Sequence, residues 1–140
     1  MVCLGNICRS PLAEGVLKSK LSSTHFHIDS AATASFHIGK SPDHRSIKVA
    51  ADHRIDISHQ KARAFKLEDF NLFDKIYVMD SNNLKIIKQL AETLEQSNKV
   101  SLILENEDVP DPYYGDESDF KIVFELLNEA CEKIKFDLIN

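Results

Sequence analysis

Residues 2–11 read VCLGNICRSP, and five residues separate the thiol of Cys3 from the guanidinium of Arg9. A thiolate is a strong nucleophile, and a guanidinium is a planar fork that matches two oxygens of a phosphate. A short loop that leads into a helix can turn its backbone N–H groups inward and form an anion nest, backed by the helix N-terminus. Gly5 and Asn6 tolerate the left-handed backbone that such a ring needs, and Leu4, Ile7 and Cys8 complete it. The same positive field favours the thiolate of Cys3. Ser10 can donate a hydrogen bond to that sulfur. A pocket of this kind binds a phosphoryl group and aims sulfur at phosphorus.

The elements that must position this loop follow from the pattern of the chain. Residues 10–21 read as a helix with Ser10 as N-cap and Pro11 at the first helical position. Ala13, Val16, Leu17 and Leu21 share one helical face. Residues 25–30 read as a strand, and a second helix opens near Ser41 or Asp43. Residues 74–80 read as a buried strand, followed by a helix from Ser81 to about Thr93 and a strand over 99–104. A polar loop runs from Glu105 to about Ser118. The last helix carries Phe120, Val123, Phe124, Leu127, Cys131 and Ile134 on one stripe. Strands that alternate with helices predict an α/β fold in one domain, residues 1–140, with a small parallel sheet between helices. Ligands in such folds bind beyond the carboxyl ends of the strands, where Cys3 falls. Only Met1 and Val2 precede it, whereas strands average about five to six residues, so the first strand reads as truncated at the N-terminus.

Composition narrows the partners. The net charge is −5, with acid concentrated near residues 105–119, which argues against nucleic acid or an anionic membrane. Three cysteines are too few for a disulfide framework, and no charged-then-apolar leader precedes the first motif. The expected setting is cytoplasmic. The histidines lack metal-ligand spacing and read as surface or structural residues. Cys131 reads as core.

The segment VCLGNICRSP closely resembles the signature of the low-molecular-weight protein tyrosine phosphatases. DPYYGD at 111–116 resembles the acid loop of that family, and residues 28–45 and 73–83 resemble further family segments. The resemblance implies a three-layer, phosphatase-I-like fold with about four strands, and no metal or organic cofactor. It implies hydrolysis of phosphotyrosine and aryl phosphate monoesters through a phosphocysteine on Cys3, with Asp111 as general acid and then base. Pro112 would stiffen the turn that holds Asp111. Glu107, Asp108, Asp116 and the bound phosphate would favour its protonated form. Phe36, Tyr113 and Tyr114 would wall the cleft, and Ile7 would meet the substrate ring. The related arginine phosphatases tend to carry threonine at the Ile7 position. Asn6 and Ser30 match positions that brace the loop, and either His59 or Gln60 matches a histidine that orients Ser10. Cys8 matches a cysteine that pairs reversibly with the nucleophile in the family; the alternative is a small loop-filling residue. Tyr113 and Tyr114 match phosphorylation sites of some members. The implied partner is a phosphotyrosine protein, and the implied state a monomer or weak homodimer.

Two other readings share the loop. Thiol-dependent arsenate reductases use two further mid-chain cysteines, whereas residues 10–130 here contain none. A non-catalytic phosphoanion-binding module would need no acid at Asp111. Catalysis by a thiolate and a protonated carboxyl predicts a bell-shaped rate profile with an acidic optimum. A flat profile from about pH 5 to 8 would contradict Asp111 as the acid.

Overall fold

The computed structural model describes residues 1–140. In chain order it contains β1 (Val2–Cys3), α1 (Arg9–Lys20), β2 (Ala31–Ala32), α2 (His44–Asp52), α3 (Asp69–Leu72), β3 (Ile76–Val78), α4 (Ser81–Leu90), α5 (Leu94–Asn98), β4 (Val100–Leu102) and α6 (Glu117–Ile139). The four strands are all parallel and lie in the order β2-β1-β3-β4. β1 is therefore central. The chain moves from β2 on one side of β1 to β3 on the other, which opens a crevice at the carboxyl end of β1.

Alternation along the strands builds two cores. Val2, Ile76, Val78 and Val100 face α3 and α4 and pack with Phe70 and Ile87. Cys3 and Met79 face the other way, into a larger core with Leu12, Val16, Val49, Phe120, Phe124 and Leu127 from α1, α2 and α6. The predicted apolar faces of α1 and α6 are the buried ones, and Cys131 is fully buried in the same core. No helix is long and apolar enough to cross a membrane.

Several expected boundaries shift. Residues 25–30 form no strand. The N–H groups of His25 and Phe26 turn back to Ser22 O, and ladder pairing starts at Ala31, whose N–H donates to Met1 O at 2.9 Å. The helix from Ser81 stops at Leu90. Ala91 is extended, and Thr93 caps the separate α5 by accepting from Gln96 N at 3.1 Å. Ser10 is not the N-cap of α1. Cys8 holds that position without a side-chain cap, and the Ser10 hydroxyl is used elsewhere. Of the two expected caps, Ser41 and Asp43, it is Asp43 that opens α2, accepting from Arg45 N at 2.9 Å. Asp116 closes a reciprocal capping box with Asp119 at the start of α6.

Gly15 lets α1 lie against the segment after α2. A Cβ there would collide with Ile57 Cγ2 and sit 3.2 Å from Ile55 Cγ2. Gly15→Val is expected to lower the unfolding free energy by about 1–3 kcal/mol, measured by urea denaturation. Gly15→Ala should fall between the two, because alanine regains about 1 kcal/mol of helix propensity. An unchanged midpoint for Gly15→Val would mean that this contact is slack.

Candidate active site

The loop from Cys3 to Arg9 spans the end of β1 and the start of α1. Asn6 sits in the left-handed region at φ 57°, a conformation that asparagine tolerates better than most residues. This turn brings Asn6 N–H within 3.2 Å of Cys3 Sγ. Gly5 is small for a second reason: a Cβ there would lie 2.9 Å from His37 Cδ2.

The hydrogens around the sulfur can be assigned by donor counting. Asn6 Nδ2 donates to Ser10 Oγ at 2.7 Å and to Ser30 Oγ at 2.9 Å, which uses both of its hydrogens. Ser30 passes its own hydrogen to Glu14 Oε1 at 2.5 Å. Ser10 Oγ accepts from Asn6 and lies 3.0 Å from Cys3 Sγ, so toward a Cys3 thiolate its hydrogen is free to donate. Asn6 Oδ1 accepts from Arg63 N at 3.1 Å and fixes the amide's orientation. Glu14 is buried and is neutralised by Lys18 at 2.6 Å.

Arg9 is only 3% exposed. A buried cation needs partners, and its Nη1 donates to Asp80 Oδ2 at 2.8 Å and Val109 O at 3.0 Å. Asp80 also caps α4 by accepting from Asn83 N. The opposite side of the guanidinium looks into the cleft, where Nη2 stands 3.7 Å from Asp111 Oδ2. Asp111 itself is held by Tyr113 N, which donates to its Oδ1 at 3.1 Å.

The cleft has a volume of about 130 Å³ and is walled by Phe36, His37, Tyr113 and Tyr114 over a floor of Cys3, Ile7 and Arg9. Tyr113 and Tyr114 meet edge to face at 5.0 Å. Larger grooves of about 440 Å³ beside β4 and α6, and 330 Å³ near Phe26, contain no cysteine.

The structure thus brings together the loop residues Leu4, Gly5, Asn6, Ile7, Cys8 and Ser10, with Ser30 behind them. It does not bring His59 to the loop. His59 is exposed, whereas its neighbour Gln60 turns inward and donates from Nε2 to Pro11 O at 3.1 Å. Gln60 reaches the α1 backbone, not the Ser10 hydroxyl. Cys8 is buried, and burial pushes its thiol up to about 12, so it stays protonated beside Cys3. Asp108 and Asp116 do not turn toward Asp111. Asp108 accepts from Ser81 N and Oγ, and Asp116 accepts from Ser118 and Asp119.

Three residues were missed. Asp80 lies two residues past β3 as the N-cap of α4, and an acid just beyond a strand end was its available signal. His37 read as surface or structural, yet it lines the cleft beside Phe36 and Tyr113, with centroids 6.2 and 6.3 Å away. Arg45 carried no signal beyond its charge, and its partners lie far along the chain.

Comparison with known proteins agrees with this geometry. The family "Low molecular weight phosphotyrosine protein phosphatase" matches residues 1–139. Curated relatives of that name include the rat protein, 36% identical over 94% of this chain and 89% of its own, and the human protein, 37% identical over 93% and 88%. Among solved structures, a protein tyrosine phosphatase from Entamoeba histolytica with Hepes in its active site superposes with a TM-score of 0.91 at 35% identity, covering 98% of this chain and 93% of its own. Vibrio vulnificus Wzb in complex with benzylphosphonate gives a TM-score of 0.89 at 30% identity, covering 97% and 94%. With the Cys3–Arg9 loop and the distant Asp111 loop meeting in one cleft, on a sheet shared with these structures, and with the family matched over residues 1–139, the chain belongs to the low molecular weight phosphotyrosine protein phosphatase family.

Proposed function

We propose that this protein hydrolyses phosphotyrosine in protein substrates, and aryl phosphates, through a phosphocysteine on Cys3. The observation that carries this reading is the position of Cys3 Sγ. It accepts from Asn6 N at 3.2 Å and lies in hydrogen-bond contact with Ser10 Oγ at 3.0 Å, in the cleft that Arg9 and Asp111 share. The phosphate dianion would sit in the loop against the free side of Arg9. The thiolate sulfur attacks phosphorus, and the bond to the phenolic oxygen breaks. Asp111 gives that oxygen its proton, so tyrosine leaves neutral. The carboxylate of Asp111 then takes a proton from water as the water oxygen attacks phosphorus. Inorganic phosphate departs, and the sulfur leaves as thiolate. Ser10 stabilises that leaving sulfur by the hydrogen bond it already makes.

The walls support the substrate class. Phe36, Tyr113 and Tyr114 offer flat apolar faces to an aromatic ring. Wzb, with the same fold, holds a benzyl group joined to a phosphonate. Asp80 supports Arg9 by neutralising it from behind and fixing its plane.

Cys3→Ser is expected to abolish turnover, measured by phosphate release from a phosphotyrosine peptide. Asp111→Asn should lose about 10²–10⁴-fold on phenyl phosphate and far less on p-nitrophenyl phosphate, whose leaving group needs no proton. Equal losses on both esters would refute the acid assignment. Asp80→Ala strands a buried guanidinium and should cost about 3 kcal/mol of unfolding free energy, with weaker inhibition by inorganic phosphate. Asp80→Asn keeps an acceptor oxygen and should cost less. Unaltered phosphate inhibition in Asp80→Ala would show that Arg9 is positioned by other contacts.

A further inference from the structure

The N-terminus of α2 grips both functional loops at once. On one side Asp43 N donates to Ile7 O at 2.8 Å, and Ser46 Oγ donates to Cys8 O at 3.2 Å, both in the Cys3 loop. On the other side Arg45 reaches the Asp111 loop. Its Nη2 donates to Tyr113 O at 2.9 Å, and its Nη1 donates to Gly115 O at 3.0 Å. The guanidinium is itself held. Asp43 Oδ1 and Oδ2 accept from Nε and Nη2 at 3.0 Å each, and the plane stacks 4.4 Å from the centroid of Phe120. Burial opposes the Asp43 charge, but the Arg45 hydrogen bonds prevail and hold its carboxyl below the usual carboxylate range.

We infer that Arg45 is a positioning residue that sets the height of Asp111 above the Cys3 loop. The link is short. Arg45 holds the carbonyl of Tyr113, and the N–H of the same residue holds the carboxylate of Asp111. Few other cross-links span the two loops: Arg9 Nη1 reaches Val109 O, and Arg9 Nη2 faces Asp111. A general acid acts only within hydrogen-bond reach of the leaving oxygen, so a shift of about 1 Å in this loop removes its contribution. Arg45 touches neither substrate nor sulfur and is not a catalytic residue.

This inference rests on Asp111 as the acid, and the test separates the two. Wild type, Asp111→Asn, Arg45→Met and Arg45→Lys are assayed on aryl phosphates of graded leaving-group acidity, with alkylation of Cys3 by iodoacetate and its protection by inorganic phosphate measured in parallel. Methionine keeps a stem over Phe120 but cannot hold the two carbonyls. Arg45→Met should lose about tenfold on the poorest leaving group, a fraction of the 10²–10⁴ of a general acid, and little on the best. Phosphate protection of Cys3 should persist. Arg45→Lys, with one point donor, should show the same grading at smaller size, and it carries the test alone if Arg45→Met does not fold. Grading in Asp111→Asn but none in the Arg45 variants overturns this inference and leaves the acid in place. No grading in Asp111→Asn overturns the acid assignment. Loss of phosphate protection in an Arg45 variant that folds also overturns the inference, because Arg45 would then act on the Cys3 loop.

Discussion

A sulfur that takes and releases negative charge below the protein surface needs its donors in place before the reaction begins. Here they are fixed by exhaustion. Asn6 spends both amide hydrogens on Ser10 and Ser30, Ser30 spends its hydrogen on Glu14, and Ser10 is left with the sulfur as its only recipient. Toward a Cys3 thiolate, the chain of bonds permits one arrangement of protons. In the proposed reaction, reorganisation at the moment of attack would therefore be small, which is where preorganised electrostatics gains its effect. The left-handed turn at Asn6 and the missing side chain at Gly5 are the local costs of that arrangement.

The fold serves this network by convergence. β1 delivers Cys3, α1 the guanidinium of Arg9, the N-cap of α4 its counter-charge Asp80, and the segment before α6 the Asp111 carboxylate. All meet at the carboxyl side of a central strand that is only two residues long. The site is held less by the length of that strand than by the helices over both faces of the sheet and by the polar clasp at the start of α2. Arg9 illustrates the balance of forces. Its charge is sealed from solvent, yet Asp80 and a backbone carbonyl occupy only one nitrogen. Nη2 faces Asp111 in the cleft, so in the proposed reaction an incoming dianion would complete the coordination of a cation already placed.

Much of this was legible in the residues, and the failures have a common cause. The Cys3–Arg9 loop was readable because local spacing carries its chemistry, whereas the Asp111 loop was picked out only by its resemblance to a family segment. The faces of α1 and α6 were readable because burial follows helical period. Asp80 and Arg45 were not, because they act through partners 71 and 68 or more residues away, and single-chain spacing holds no record of such contacts. Ser10 was misassigned as a cap because a serine before proline looks the same whether its hydroxyl serves a helix or a sulfur. Residues 25–30 have strand-like composition, but their only backbone link toward β1 is Asp29 O, which accepts from the Met1 amine at 3.0 Å, so tertiary context overrode propensity. Between positions 59 and 60 the residue types left the register open: glutamine turns inward, to Pro11 O, and histidine stays exposed.

The account stands on a covalent bond between Cys3 sulfur and phosphorus. The most direct measurement is acid quench of the Asp111→Asn variant during turnover of p-nitrophenyl phosphate, followed by peptide mapping of the trapped phosphoryl group. The account predicts phosphate on Cys3 and on neither Cys8 nor Cys131. A variant that turns over with no phosphoryl group on Cys3 at any quench time would contradict it.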